Sequence, residues 1–268
     1  MKDIIALLNE EEKRKLYSIS GIYHENTKIR SFDKASKSNN IEISTVSVKQ
    51  TSQAFKIYPY QAVKIKLPTN FSNTGVSVED AISQRRSERD FSGEELSMEE
   101  ISKLLHFAYG ITGSTQLGNT FQPLRASPSA GALYPLEIYL FVFNVEGLQK
   151  GIYHYNVKDH LLELIRPGDC SDLMFEYTFE QEMVKKASSV FVLSALFERT
   201  QWKYGARGYR YILLDAGHLA ENVYLLCSAM KLGCCTIGGF LDDYINELID
   251  IDGVNESVIY MIAIGKPQ

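Results

Sequence analysis

Apolar positions are sparse in the first quarter of the chain and regular after it. Residues 2 to 18 carry helical spacing through Ile4, Ile5, Leu7, Leu8 and Leu16, whereas Thr27 to Asn70 is rich in Ser, Asn and Lys with few apolar anchors. Regular signals begin near Ser77. Ser77-Val-Glu-Asp and Ser97-Met-Glu-Glu each predict a helix start, because a hydroxyl three residues before a carboxylate satisfies the free amides of a first turn. Leu136 to Asn144 predicts a strong strand, and Gly151 to Tyr155 with Leu161 to Ile165 predicts a hairpin turning over Asn156 to His160. Residues 171 to 185 read as one helix, 189 to 196 as a buried strand, 208 to 231 as a long helix closed near Gly233, and 257 to 264 as the last strand. The long helix carries Ile212, Leu213, Leu214, Leu219, Val223, Leu226 and Met230 around most of its circumference. A helix with no wet face belongs in a core or a subunit interface. The expectation is an α+β domain over residues 76–268, with helices around an antiparallel-rich mixed sheet, preceded by an N-terminal extension, residues 1–75, of a short helix plus an irregular segment.

Composition narrows what such a domain can do. With 268 residues, 45% of them apolar, the chain can bury a large core. A net charge of −5, from 28 basic and 33 acidic residues, provides no global attraction for nucleic acid or anionic lipid, so an anion site needs a local basic cluster. Cys170, Cys227, Cys234 and Cys235 have neither metal-ligand spacing nor the density of a disulfide framework, which fits a reducing cytoplasm. The first ten residues do not form a signal peptide, and no apolar run approaches the roughly 18 residues that cross a bilayer. The histidines share no ligand spacing, so no metal is expected; His218 reads as an interior histidine held by hydrogen bonds, and Cys234 and Cys235 as packing residues on opposite strand faces.

Three clusters could hold a ligand. Arg85-Arg86-Ser87-Glu88-Arg89 places three guanidiniums and a hydroxyl within five residues, and guanidinium donors match the spacing of phosphate oxygens; a solvated basic patch is the plain alternative. Arg125-Ala-Ser-Pro-Ser-Ala-Gly-Ala-Leu-Tyr-Pro135 is small-residue loop where backbone can approach a flat ring, or else an ordinary loop with two prolines. Cys234-Cys-Thr-Ile-Gly-Gly-Phe240 runs a short strand into paired glycines, which can aim an amide into a pocket or simply turn the chain.

In this order, Arg-Arg-Ser-x-Arg, a Pro-Ser-x-Gly loop before a strand, Asp215-x-Gly217 in a long helix ending near Leu232-Gly233, and Ile237-Gly238-Gly239 resemble the nitroreductase superfamily over about 190 residues, Val78 to Lys266. Tyr23-His-Glu-Asn-Thr-Lys, Ser127-Pro-Ser-Ala-Gly-Ala-Leu-Tyr-Pro and Gly151-Ile-Tyr-His-Tyr followed by Asp159-His160-x-Leu162 look like its SagB/ThcOx branch, which contains azoline dehydrogenases of thiazole/oxazole-modified peptides. The resemblance implies FMN as cofactor and a homodimer with two sites built from both subunits. It implies that Arg85, Ser87 and Arg89, within a cluster that includes Arg86, hold the phosphate and the pyrimidine edge. Pro128, Ser129, Ala130 and Gly131 would line the isoalloxazine across the dimer interface, and Gly238 and Gly239 would place an amide against flavin N5. Many relatives carry further basic phosphate ligands beyond the last strand; Lys266 is the candidate here.

Trp202-Lys203-Tyr204 stands just before the long helix, and in that branch an adjacent Lys-Tyr pair is the proposed proton-transfer site; a surface lysine beside a packing tyrosine is the plain alternative. Aromatising an azoline removes a proton from Cα and a hydride from Cβ, so a base must face the ring. The resemblance thus implies oxidation of thiazolines or oxazolines on a peptide or carrier-bound substrate, with Lys203 as base, Tyr204 assisting, dioxygen reoxidising the flavin, and a cyclodehydratase complex as partner. The alternatives are an NAD(P)H-dependent reductase of nitro compounds or quinones, and a non-catalytic partner presenting a precursor peptide.

Overall fold

The computed structural model describes residues 18–28, 55–59 and 63–268; the helix expected over 2–18 lies outside the described residues except for Ser18. Helix α1 is Ile19–Asn26, and strand β1, Lys64–Lys66, follows within the stretch read as irregular. Helices α2 (Val78–Gln84) and α3 (Met98–Tyr109) begin where their serines predict, with Ser97 and Glu100 closing a full capping box. The polar run Ile111–Leu117 (β2) and Thr120–Arg125 (β3) forms a separate antiparallel hairpin, which leads into a 3₁₀ turn at Ala130–Ala132. Then come β4 (Leu136–Val142), β5 (Gly151–Asn156), β6 (Leu161–Pro167), α4 (Ser171–Tyr177), α5 (Glu182–Lys186) and β7 (Ser189–Leu196). Last come α6 (Glu198–Tyr204), the 23-residue α7 (Gly208–Met230), β8 (Gly233–Ile237), α8 (Asp242–Leu248) and β9 (Glu256–Gly265).

Seven strands pair in the order β1-β6-β5-β4-β7-β9-β8, antiparallel throughout. Strand β4 shows why the sheet is covered on both faces: Leu136, Ile138, Leu140 and Val142 join the core under α3 and α7, while Tyr139 and Phe141 join the core under α4, α5 and α8. Cys234 and Cys235 likewise divide between the two cores, as successive strand residues must. Among the described residues no helix is long and apolar enough to cross a membrane, and no group of His, Cys, Asp or Glu is arranged to hold a metal.

Four expectations need correction. The helix read over 171–185 is two helices: Phe179 and Glu180 both adopt left-handed backbone (φ 57° and 55°), the Thr178 hydroxyl donates to Met174 O alongside the backbone amide of Thr178, and the Gln181 side chain donates to Thr178 O. Local capping outweighs apolar spacing there. The long helix does have an outer face: Ile212, Ala216, Leu219, Val223 and Cys227 are buried, while Leu213 (45% exposed), Leu214 (59%) and Glu221 face outward. His218 lies on that outer face rather than in the interior. Finally, α7 is closed by Lys231 in left-handed backbone (φ 56°), two residues before Gly233.

Candidate active site

Two groups of the residues singled out above assemble at separate places along α7. The first is the small-residue loop. Ser127 bonds Ala108 O at 2.6 Å and accepts from Asn222 of α7 at 3.1 Å. Ser129 Oγ donates to Asp215 Oδ2 at 2.6 Å and accepts from Tyr134 N at 2.9 Å. Burial pushes the Asp215 carboxyl up, offset in part by the bonds from Ser129 and the Ala130 amide and by the nearby His218. These ties shape a turn in which Gly131 (φ 64°), Ala132 (φ 52°) and Tyr134 (φ 47°) are all left-handed. Gly131 faces the end of α6: a Cβ there would lie 2.7 Å from Tyr204 Oη and 3.0 Å from Lys203 Nζ. Two signals 72 positions apart in the chain thus meet in one place, the loop expected to line the ring and the pair expected to move the proton. Lys203 is exposed and makes no ion pair among the described residues; Tyr204 packs edge-on to Tyr211 with ring centroids 5.0 Å apart.

Helix α1, which carries the Tyr23-His-Glu-Asn motif, docks on the same corner. Tyr23 donates to Ala206 O at 3.3 Å, Arg207 reaches Thr27 O at 2.6 Å, and Arg210 reaches His24 O at 2.8 Å. The motif and the Lys-Tyr pair are therefore neighbours in space.

The second group is the arginine segment. Arg85 stacks on the ring of Tyr224 of α7 at 5.1 Å, Ser87 Oγ lies 3.0 Å from Tyr224 Oη, and that phenol also accepts from Thr236 N of β8. Phe91 pins the segment down. Gly233 and Gly265 sit opposite one another in the β8–β9 pair, and a Cβ on either would meet the Phe91 ring, at 2.9 Å and 3.0 Å. Glu88 N bonds Cys234 O, and Ser92 N bonds Lys266 O, so the chain of Lys266 runs beside the arginines. None of Arg85, Arg86 and Arg89 forms an ion pair among the described residues. Arg86 is turned back on the end of α2, donating to Ser83 O and Arg85 O, and borders a cavity of about 290 Å³ with Tyr224, Lys231 and Pro267. Gly238 and Gly239 are exposed at the end of β8, with Phe179, from the break between α4 and α5, beside Gly239 and Gln181 bonding Gly239 O at 3.3 Å.

Asp215, which anchors the first group, and Tyr224, which anchors the second, are nine residues apart on α7. At 3.6 residues per turn that is about 13 Å along the axis and about half a revolution around it. The two groups therefore lie on opposite flanks of one helix.

This fold and these motifs are those of an oxidoreductase-type family, and the chain belongs to it: residues 82–266 match the nitroreductase family. The protein MJ1384 of Methanocaldococcus jannaschii, provisionally named a nitroreductase, is 33% identical over 71% of this chain and 91% of its own length. The microcin B17-processing protein McbC of Escherichia coli is 30% identical over 59% of this chain; the match spans 57% of McbC. A provisionally assigned nitroreductase from Anabaena variabilis superposes with a TM-score of 0.71 at 28% identity, covering 92% of this chain and 47% of that one.

Sequence reasoning passed over Tyr224, Phe179, and a buried ionic array around His154. Glu137 lies in an otherwise apolar strand, and that mismatch was the available signal. Its carboxylate takes Arg199 at 2.5 Å and His154 Nε2 at 3.0 Å, while His154 Nδ1 meets Glu163 at 3.0 Å. Segment 55–59 covers the array: Lys56 bridges Tyr139 and Glu256, each at 2.6 Å, and Tyr58 N donates to Glu163.

Proposed function

We propose that the chain is an FMN-dependent dehydrogenase that oxidises thiazoline or oxazoline rings to thiazoles or oxazoles in a peptide or carrier-bound precursor, acting as a homodimer beside a cyclodehydratase complex. The observation that carries this reading is the approach of Lys203 Nζ and Tyr204 Oη to Gly131. A base and a phenol sit where a flat ring could lie against small-residue backbone.

The residues present suit a flavin mononucleotide. Arg85 and Arg89, free of carboxylate partners among the described residues, offer charge-assisted bonds to a phosphate, with the Ser87 hydroxyl between them. Gly238 and Gly239 leave backbone open, with no atom closer than 3.8 Å to the place of a Cβ. When bound, FMN supplies a two-electron acceptor that dioxygen can regenerate. The chain supplies the rest. Lys203 takes the proton from the substrate Cα, Tyr204 bonds the charge that develops, and the hydride leaves Cβ, so the ring loses two hydrogens and gains one double bond. In the proposed homodimer a second copy would bring the arginines of one subunit to the loop of the other, a reading supported by the position of the two groups on opposite flanks of α7. The exposed Leu213 and Leu214 supply apolar surface for that contact.

The test is Lys203→Ala. A folded, yellow protein that no longer removes two hydrogens from an azoline peptide, read by mass spectrometry, is expected; full turnover would remove the assignment. The likeness to MJ1384 favours a second reading, a nicotinamide-dependent reductase of nitro compounds or quinones. Rapid bleaching of the flavin by NAD(P)H, independent of Lys203, would support that instead.

A further inference from the structure

We infer that Arg199 is a positioning residue for Lys203, fixed in place by the Glu137–His154–Glu163 array. The inference rests on the reading of Lys203 as the base and goes beyond it by assigning the buried charges a task. Arg199 stands four residues before Lys203 in α6, one helical turn away on the same face. Its Nη1 donates to Glu137 Oε1 of β4 at 2.5 Å and to Tyr134 O at 3.3 Å. Tyr134 closes the loop that carries Gly131. One guanidinium therefore ties the helix bearing the base to the sheet and to the loop that the base faces.

The far end of the tie is held rigidly. Each ionised carboxylate only accepts hydrogen bonds, so a ring with Glu137 at one nitrogen and Glu163 at the other must carry a proton on both. His154 is thus a buried imidazolium, completely covered, bridging β4 and β6 from β5. Glu137 also accepts from Lys56 N, and Glu163 from Tyr58 N, Asn156 Nδ2 and Lys64. A seven-residue helix does not hold itself in place, and α6 has no side-chain cap at its start. Thr200 beside Arg199 adds nothing, its hydroxyl being buried with no hydrogen-bond partner. A displacement of the base by about an ångström is enough to slow a proton transfer severely.

The test compares wild type, Arg199→Ala, Lys203→Ala and the double variant by anaerobic single-turnover flavin reduction with an azoline peptide. Arg199→Ala should slow reduction by roughly tenfold or more in the wild-type background and by less than about twofold when Lys203 is already gone, because residues acting through one another are not additive. Equal penalties in both backgrounds, or none, would overturn the inference while leaving Lys203 as the base. A Lys203→Ala enzyme as fast as wild type would sink the functional reading and this inference with it. A second readout needs no turnover: acylation of Lys203 by an amine-reactive ester, measured against the exposed Lys231, should change by about threefold or more in Arg199→Ala. An unchanged ratio also overturns the inference. If Arg199→Ala does not fold, Arg199→Gln, which fills similar space but removes the charge and the guanidinium fork, carries the same comparison.

Discussion

Gly131 approaches Tyr204 so closely that one methyl group on its Cα would come within 2.7 Å of the phenolic oxygen. Gly131→Ala must therefore either push Tyr204 and Lys203 aside or shift the loop, and it also places a side chain at φ 64°, which costs about 1–2 kcal/mol. The expected variant is folded and flavin-loaded, melts a few degrees lower, and aromatises its substrate roughly tenfold more slowly or worse. Differential scanning calorimetry and mass spectrometry check the two halves separately; unchanged turnover would show that the loop and the pair are not mechanically linked.

The ionic array around His154 sets a pH window for stability. Burial disfavours the charged ring, but the bonds to Glu137 and Glu163 and their charges outweigh it, so the folded pKa lies above the ordinary 6.5. Its contribution is complete below 6.5 and is lost as pH rises through that raised value. Glu137 behaves in the opposite sense. Burial raises its pKa, while Arg199 and His154 more than reverse this and hold it at about 2 against an ordinary 4.5, so its contribution is present above 4.5 and lost as pH falls toward about 2. The rings of Tyr58 and Tyr139 complete the surroundings of His154, at 5.1 Å and 5.3 Å. Urea melts of His154→Gln should show the largest deficit against wild type near pH 6 and a smaller one in alkaline buffer. A deficit that widens as the buffer becomes alkaline would contradict the imidazolium.

Flavin affinity should separate the arginines by where they point. Arg85→Ala and Arg89→Ala each remove a charge-assisted bond of about 1.5–3 kcal/mol, so FMN should bind roughly 10- to 100-fold more weakly. Arg86→Ala, whose guanidinium is turned to the carbonyls of Ser83 and Arg85, should change affinity far less. Gly265→Ala crowds Phe91, which pins the arginine segment, and should lower both affinity and stability, the latter by about 1–3 kcal/mol. Fluorescence titration of the apoprotein with FMN orders the four; an Arg86 effect equal to that of Arg85 would reverse their assignment.

Much of this fold could be read from local pattern. Ser77 and Ser97 announce their helices through bonds that span three residues, and β4 alternates between two cores because its apolar residues face both ways. The Lys203–Tyr204 pair and the Pro128–Gly131 loop were also visible as motifs, though nothing in the chain between them says that they touch. Less was legible where structure depends on distant partners or on solvent. Hairpin β2–β3 is mostly polar and exposed, so it lacks the alternation that marks a half-buried strand. The break at Phe179 follows from side-chain bonds by Thr178 and Gln181 that apolar spacing does not encode. The array of Glu137, His154, Glu163 and Arg199 joins residues from four elements, and a lone histidine in a strand gives no hint that two carboxylates flank it.

The half-revolution that separates Asp215 from Tyr224 has a genetic counterpart. If each reaction centre takes its anion grip from one polypeptide and its base from the other, two dead proteins can repair one another. A preparation lacking Arg85 and Arg89, mixed by unfolding and reassociation with one lacking Lys203, would yield hybrids in which one of two centres is whole, and so about a quarter of normal output at equal mixing. Silence from such a mixture would mean that a single polypeptide builds each centre by itself.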